Sequence, residues 1–287
     1  MRLRRHLLCC LISLLPLLCR GEPAVVDAVR MPAWLERGEQ REPLRAGLTL
    51  RDGDLIRTGD GARAYLKLPE GSTVKLGASA RFALRHAESA PGLFQGTLDV
   101  LAGAFRFTTG ALEKLRPRQV SIHVGTATIG IRGTDVWGRS GPDQDLVMLL
   151  EGNVEIQPAI GAPLQMAQAN SVFTAPKGGA ALPLTTASRD EVRQRARQTE
   201  IETGDGAMRP GGRWSVLLAA FDDENAALGL YDQAREAGLA ARIRPLSDAG
   251  AAYRYQVLVS GFPDRAEAAA AAARFGALLQ LEATPLR

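Results

Sequence analysis

Tyr253-Arg254-Tyr255-Gln256 brings two aromatic rings, a guanidinium and a carboxamide together near the C-terminus of the chain. An aromatic ring can lie on the C–H face of a sugar, while planar polar groups donate to and accept from hydroxyl and acetamido groups. The quartet is a candidate for carbohydrate recognition. Strict alternation from Val257 instead turns both rings toward a core, and the two uses stay open. A second concentration lies at Thr128, Gly130, Arg132, Gly133, Thr134 and Asp135. Gly130 and Gly133 would let the backbone turn tightly, and Arg132 could pair with Asp135 to pin that turn or the pair could touch a ligand.

Residues for covalent or metal chemistry are sparse. Past the N-terminal segment the histidines are His86 and His123, each in an expected strand and without a nearby Cys or His to complete a metal set. No Gly-x-Ser-x-Gly elbow, His-Glu-x-x-His pair or phosphate-binding glycine loop is present. Glycoside hydrolysis needs two facing carboxylates roughly 5–10 Å apart. Glu70, Asp135 and Glu151 qualify only as acids, and solvated or salt-bridged carboxylates are expected there. A chain with no enzymatic activity, no cofactor and no bound metal is the expectation.

The N-terminus reads as an export signal. Arg2, Arg4 and Arg5 precede an apolar run from Leu7 to Leu18, and Cys19-Arg20-Gly21 resembles a small-x-small cleavage site. The run is shorter than the roughly 18–20 residues that span a bilayer, so cleavage is expected over an inner-membrane anchor, the alternative. Cys9, Cys10 and Cys19 all lie inside it, so the mature chain is expected to have neither disulfide nor thiolate. Its loss also takes four arginines and leaves 31 basic against 31 acidic residues. A basic attraction to nucleic acid is therefore not expected.

From Val25 to about Ala175, short alternating runs such as Ala64-Tyr65-Leu66-Lys67-Leu68 stand between turn pairs such as Asp60-Gly61 and Glu151-Gly152. They predict an all-β domain over 22–175, a sandwich, roll or β-helical fold. Ala111–Arg116 could form one helical turn before Pro117. Residues 176–212 read as a polar linker. Ser188-Arg189-Asp190-Glu191 opens a short solvated helix with a capping box, and Thr203–Gly212 reads as a flexible hinge.

The remainder, 213–287, alternates strands with helices. WSVLLAAFDD at Trp214–Asp223 is nearly repeated as YQVLVSGFPD at Tyr255–Asp264, each a strand running into an Asp-capped helix. The first helix carries Ala226, Ala227, Leu230, Tyr231 and Ala234 on one stripe and ends before Gly238; the second reaches about Phe275, and Leu278–Pro285 supplies a last strand. The order is β-α-β-β-α-β, an α+β domain. Alternation turns Val216, Leu218, Val257 and Val259 toward the helices, and leaves Ser215, Leu217, Ala219, Gln256, Leu258 and Ser260 on the open face.

This C-terminal pattern resembles the SPOR domain. The resemblance implies binding of bacterial peptidoglycan, with preference for glycan strands stripped of their peptides, through the open face of the sheet and its borders. Carried onto this chain, it points to Ser215, Leu217, Ala220, Arg254, Tyr255 and Gln256. The family often has a Gln where Leu217 stands, a small polar residue at Ala220 and an Arg at Gln256. The β half resembles the FecR domain through Leu48–Asp60, Leu66–Leu76, Gly103-Ala104-Phe105-Arg106 and above all Thr126–Asp135. Some FecR proteins pair this domain with a cytoplasmic anti-sigma segment; the stretch ahead of the apolar run ends here at Arg5, and that wiring is not expected.

Together these readings describe an exported, non-enzymatic envelope protein of the periplasm. Its SPOR-like module would bind denuded glycan strands, and its FecR-like domain would present a ligand or partner surface, including that of an envelope protein. The alternative is a periplasmic signalling protein that acts through protein contacts of the FecR-like domain.

Overall fold

The computed structural model describes residues 23–90, 93–110, 118–247 and 253–287. The export signal at 1–21 and the helical turn at Ala111–Arg116 lie outside the described residues.

Alternating apolar residues and frequent turns give β1 (Val25–Arg30), β2 (Ala33–Arg37), β3 (Gln40–Pro43), β4 (Leu55–Thr58), β5 (Arg63–Lys67), β6 (Thr73–Leu76) and β7 (Arg81–Ala90). Then come β8 (Leu93–Thr108), β9 (Arg118–Val124), β10 (Ala127–Ser140), β11 (Gln144–Pro158), β12 (Leu164–Met166), β13 (Ser171–Pro176) and β14 (Thr185–Thr186), making fourteen described strands in one connected sheet. The long strands close it. The first half of β8 pairs with β7 and, in parallel, with β9; from Gly103 onward it pairs with β10 and from Phe105 also with β6. One strand thus serves two layers, with Leu35, Ile56, Leu66, Phe82, Phe105, Phe107 and Phe173 fully buried between them. Every other described pairing in the sheet is antiparallel, the pattern of a roll or sandwich and not of a parallel β-helix.

α1 (Arg189–Arg197) opens on Ser188, whose hydroxyl accepts the Glu191 N–H at 3.3 Å while the Glu191 carboxylate accepts the Ser188 N–H at 2.8 Å. It was expected to be solvated on all sides. Val192 instead packs, with Ala187, on a small cluster of Trp137, Met148 and Val172 outside the main core. The Arg195 guanidinium covers the Trp137 ring at 5.7 Å.

The C-terminal region forms β15 (Trp214–Phe221), α2 (Glu224–Glu236), β16 (Ala241–Ser247), β17 (Tyr253–Phe262), α3 (Arg265–Leu279) and β18 (Thr284–Leu286). The sheet order is β16-β17-β15-β18, all antiparallel, as the split βαβ pattern requires. Asp223 and Asp264 cap the two helices by accepting the N–H groups of Ala226 and Glu267. α3 continues four residues past Phe275, so Leu278 is helical and the last strand is shorter than expected. Its stripe Ala268, Ala271, Ala272, Phe275 and Leu279 keeps gaining burial at helical spacing, and Gln280 in a left-handed conformation ends it.

The stretch Thr203–Gly212, expected to be a flexible hinge, is fastened on both sides. Val29 and Met208 exchange backbone hydrogen bonds at 2.7 and 3.1 Å, and Arg209 N–H donates to the Gly261 carbonyl at 2.8 Å. The Glu267 carboxylate accepts from the amides of Gly204, Gly206 and Ala207 at 2.7–2.9 Å. The two sheets also touch directly: Ala33 N–H donates to the Gly238 carbonyl at 3.2 Å, and the Trp34 ring lies so close to Gly238 that a Cβ there would stand 2.6 Å from it. One continuous cluster of buried side chains runs from Val26 in β1 to Phe275 in α3. Among the described residues no helix is long and apolar enough to cross a membrane.

Candidate functional site

Register sorts the C-terminal sheet into two faces. Val216, Leu218, Val257, Val259 and Phe262 pack beneath α2 and α3 and are essentially inaccessible. On the other face Leu217 stands opposite Leu258, which stands opposite Arg242, and Ala220 opposite Gln256, which stands opposite Arg244. Arg254 faces Leu246 on the same side, and Ser215 faces Ser260 and Leu286.

A bulge decides which β15 residues reach that face. Leu217 pairs with Leu258 but Ala219 with Val257, so Leu218 is the extra residue. Ala219, expected on the open face, therefore turns with Val257 toward the helices, and Ala220 moves onto the open face beside Gln256. Of the six residues the SPOR resemblance pointed to, Ser215, Leu217, Ala220, Arg254 and Gln256 share this face. Ser215 is 8% exposed, and its hydroxyl is 2.7 Å from that of Ser260, so it braces the sheet more than it meets solvent. Leu258 is fully covered, and Leu217 beside it supplies the apolar floor that this face presents.

Tyr255 lies on the other side. It pairs with Phe221 and Pro245 in the register of Val257, packs against the core and places its hydroxyl beside Glu224 at the start of α2. Partial burial and that carboxylate hold its pKa above the ordinary tyrosine value. Tyr253 follows the same parity, with ring centroids 6.5 Å apart. Of the two uses left open for these rings, packing toward the core is realised for Tyr255, whereas Tyr253 is 58% exposed.

The open face also carries Arg242 and Arg244, neither of them among the residues expected there. Both belong to β16, where Ala241-Arg242-Ile243-Arg244 alternates as a half-buried strand should. Arg244 donates through Nε and a terminal nitrogen to Gln256 Oε1 at 3.1 and 2.5 Å, which fixes its plane. Among the described residues Arg242 and Arg254 make no hydrogen bond or ion pair, and no carboxylate lies on this face of the four strands. Other guanidinium groups are paired with carboxylates, among them Arg37 with Asp54, Arg85 with Asp99 and Arg106 with Asp135. The face is an apolar floor edged by three uncompensated planar cations and a carboxamide.

The second candidate motif lies on β10. Thr128 and Gly130 sit in an unbroken ladder with β9 and β11, so Gly130 is not at a turn. The break falls at Gly133, whose φ of 68° suits a glycine, and the register shifts between Arg132 and Asp135. Thr134 is buried, and its carbonyl accepts the Thr109 N–H at 3.0 Å. The side chain of Arg132 lies outside the described residues. Asp135 is held by Arg106 of β8 in a bidentate pair of 2.9 and 2.7 Å. Arg106 also reaches Glu200 of the linker at 3.0 Å, and Glu200 binds Lys75 and the Tyr65 hydroxyl. Burial pushes the Glu200 pKa up, but the Lys75 bond and the neighbouring charges outweigh it and leave it low. Asp135 thereby holds the Arg106 side chain that reaches the linker at Glu200.

Each described histidine faces a carboxylate. His123 Nδ1 is 2.8 Å from Asp99, which also holds Arg85, and His86 Nδ1 is 3.1 Å from Asp52. Glu70 is 7% exposed. No group of three metal-ligating side chains occurs among the described residues.

Residues 54–155 match the family model "FecR protein" and residues 210–283 match "SPOR domain". No curated protein matches the chain. Similar solved structures include two of a candidate anti-sigma factor from Parabacteroides distasonis ATCC 8503. One is 15% identical with a TM-score of 0.41, covering 48% of this chain and 62% of its own. The other is 12% identical with a TM-score of 0.41, covering 68% of this chain and 94% of its own. This chain thus spans less than two thirds of the first. Both domain families are non-catalytic and belong to the cell envelope, and SPOR domains bind peptidoglycan. The chain carries a FecR domain followed by a C-terminal SPOR domain.

Proposed function

We propose that this is an exported, non-enzymatic protein of the periplasm that binds the glycan strands of peptidoglycan, in particular strands stripped of their peptides. The binding surface is the open face of the C-terminal sheet. One observation carries the reading: Leu217, lying over the covered Leu258, is bordered by planar donors and acceptors at Arg244, Gln256 and Arg254, none of them committed to an acidic partner. Sugar rings present apolar C–H faces flanked by hydroxyl and acetamido groups, and such a floor and border suit both. The shared core implies a consequence: a glycan held there fixes the FecR domain beside it in one orientation, where it presents a partner or ligand surface.

Co-sedimentation of the full chain with purified sacculi, before and after amidase digestion, tests this reading. Recovery should rise after digestion. Equal recovery from both preparations, or none from either, contradicts it, and the second result favours a signalling protein that works through protein contacts alone.

A further inference from the structure

Three guanidinium groups, Arg242, Arg244 and Arg254, occupy neighbouring positions on one sheet face without a carboxylate among the described residues there. Arg242 and Arg244 are two residues apart on β16, about 7 Å along the strand; Arg254 lies on the adjoining β17 opposite Leu246, diagonal to Arg244 and two positions further from Arg242. A neutral sugar needs donors and acceptors but not three uncompensated charges, so the arrangement calls for an anionic group on the ligand.

Peptidoglycan stripped of its peptides has one at hand. The amide bond that an amidase cleaves joins the peptide to the lactyl group of every second sugar, and its hydrolysis leaves a carboxylate. We propose that this face reads the free lactyl carboxylate: Arg244, its plane set by Gln256, offers a fork to the carboxylate, with Arg242 and Arg254 supplying the surrounding field. The inference rests on the glycan reading and adds a cause for the preference. An intact strand has an uncharged amide at the lactyl position where the denuded strand has an anion, so the charge at that position distinguishes the two.

The test uses the full chain and three peptide-free oligosaccharides of equal length: one with free lactyl carboxylates, one with each carboxylate converted to its methylamide, and one of N-acetylglucosamine alone. Calorimetric titration should show the free acid binding about tenfold or more tightly than the methylamide, with the gap shrinking as salt rises. Arg244→Gln and, separately, the exposed Arg254→Gln should each narrow the gap while leaving the thermal midpoint in place. Equal affinity for acid and methylamide overturns the carboxylate inference and leaves the glycan reading standing. No binding to any of the three overturns both. Comparable binding to phosphatidylglycerol vesicles or single-stranded nucleic acid would show a general anion surface and also overturn the inference.

Discussion

The carboxylate of Glu267 accepts the amide N–H of Gly206 at 2.7 Å across 61 residues of chain. Glu267 stands in the first turn of α3, and Gly206 in the segment that passes under β1. With Gly204 and Ala207 also donating to it, a side chain that is 7% exposed joins linker and SPOR domain. Glutamine at this site could accept at one oxygen only and would turn an NH₂ group toward backbone donors. Glu267→Gln should cost about 2–3 kcal/mol, the range for a lost charge-assisted, buried bond. Urea unfolding gives that figure, and limited proteolysis should find new cleavage near Gly204–Ala207.

Arg274 provides the contrast. It also meets the linker, donating to the Asp205 carbonyl at 2.9 Å, as Arg30 does at 3.1 Å. Burial and the charge of Arg30 push its pKa down, so its positive charge is poorly accommodated. Arg274→Met should therefore cost less than about 1 kcal/mol in the same unfolding assay, since the lost bond is offset by relief of desolvation. A loss as large as that of Glu267→Gln would show that the guanidinium holds the junction.

The contact between Trp34 and Gly238 closes the two sheets on each other. Gly238 has φ 80°, and a methyl group there would stand 2.6 Å from the indole. Gly238→Ala should destabilise the chain by about 2–3 kcal/mol, part from backbone strain and part from the clash. Tryptophan fluorescence should change with it if the FecR and SPOR domains separate.

Glu200 makes the linker acid-sensitive. Its folded pKa lies below that of the unfolded chain, so its contribution is complete above the unfolded value of about 4.3 and is lost as pH falls through the folded one. Glu200→Gln should cost about 1–3 kcal/mol at pH 6, and the difference from the parent chain should close as pH falls below the unfolded value of about 4.3. A gap that stayed constant over that range would assign the effect to shape and not to charge.

The fold was legible because its signals are local. Alternation marked the strands, Asp223 and Asp264 marked the helix starts, and the near-repeat of two strand–helix entries gave the C-terminal topology. The site was legible in part. The bulge at Leu218 carries no glycine or proline to announce it, yet it exchanges Ala219 for Ala220 on the open face. The arginines of β16 carry a plain signal, since Arg242-Ile243-Arg244 alternates as a half-buried strand does. The attachment of Gly204–Ala207 was illegible for another reason: there Glu267 meets backbone amides, which no side-chain pattern encodes. An acid in the first turn of a helix, as Glu267 is, already has a reason to be there.

The central claim is that glycan sits on the open face of the β16-β17-β15-β18 sheet. Amide chemical shifts of the isotope-labelled full chain, followed while denuded glycan fragments are added, test it residue by residue. The account predicts shifts concentrated at Leu217, Ala220, Arg242, Arg244, Arg254, Gln256 and Leu258, with α2 and α3 left unmoved. Shifts centred on Tyr253, Tyr255 and α2, or on the FecR domain, would contradict it.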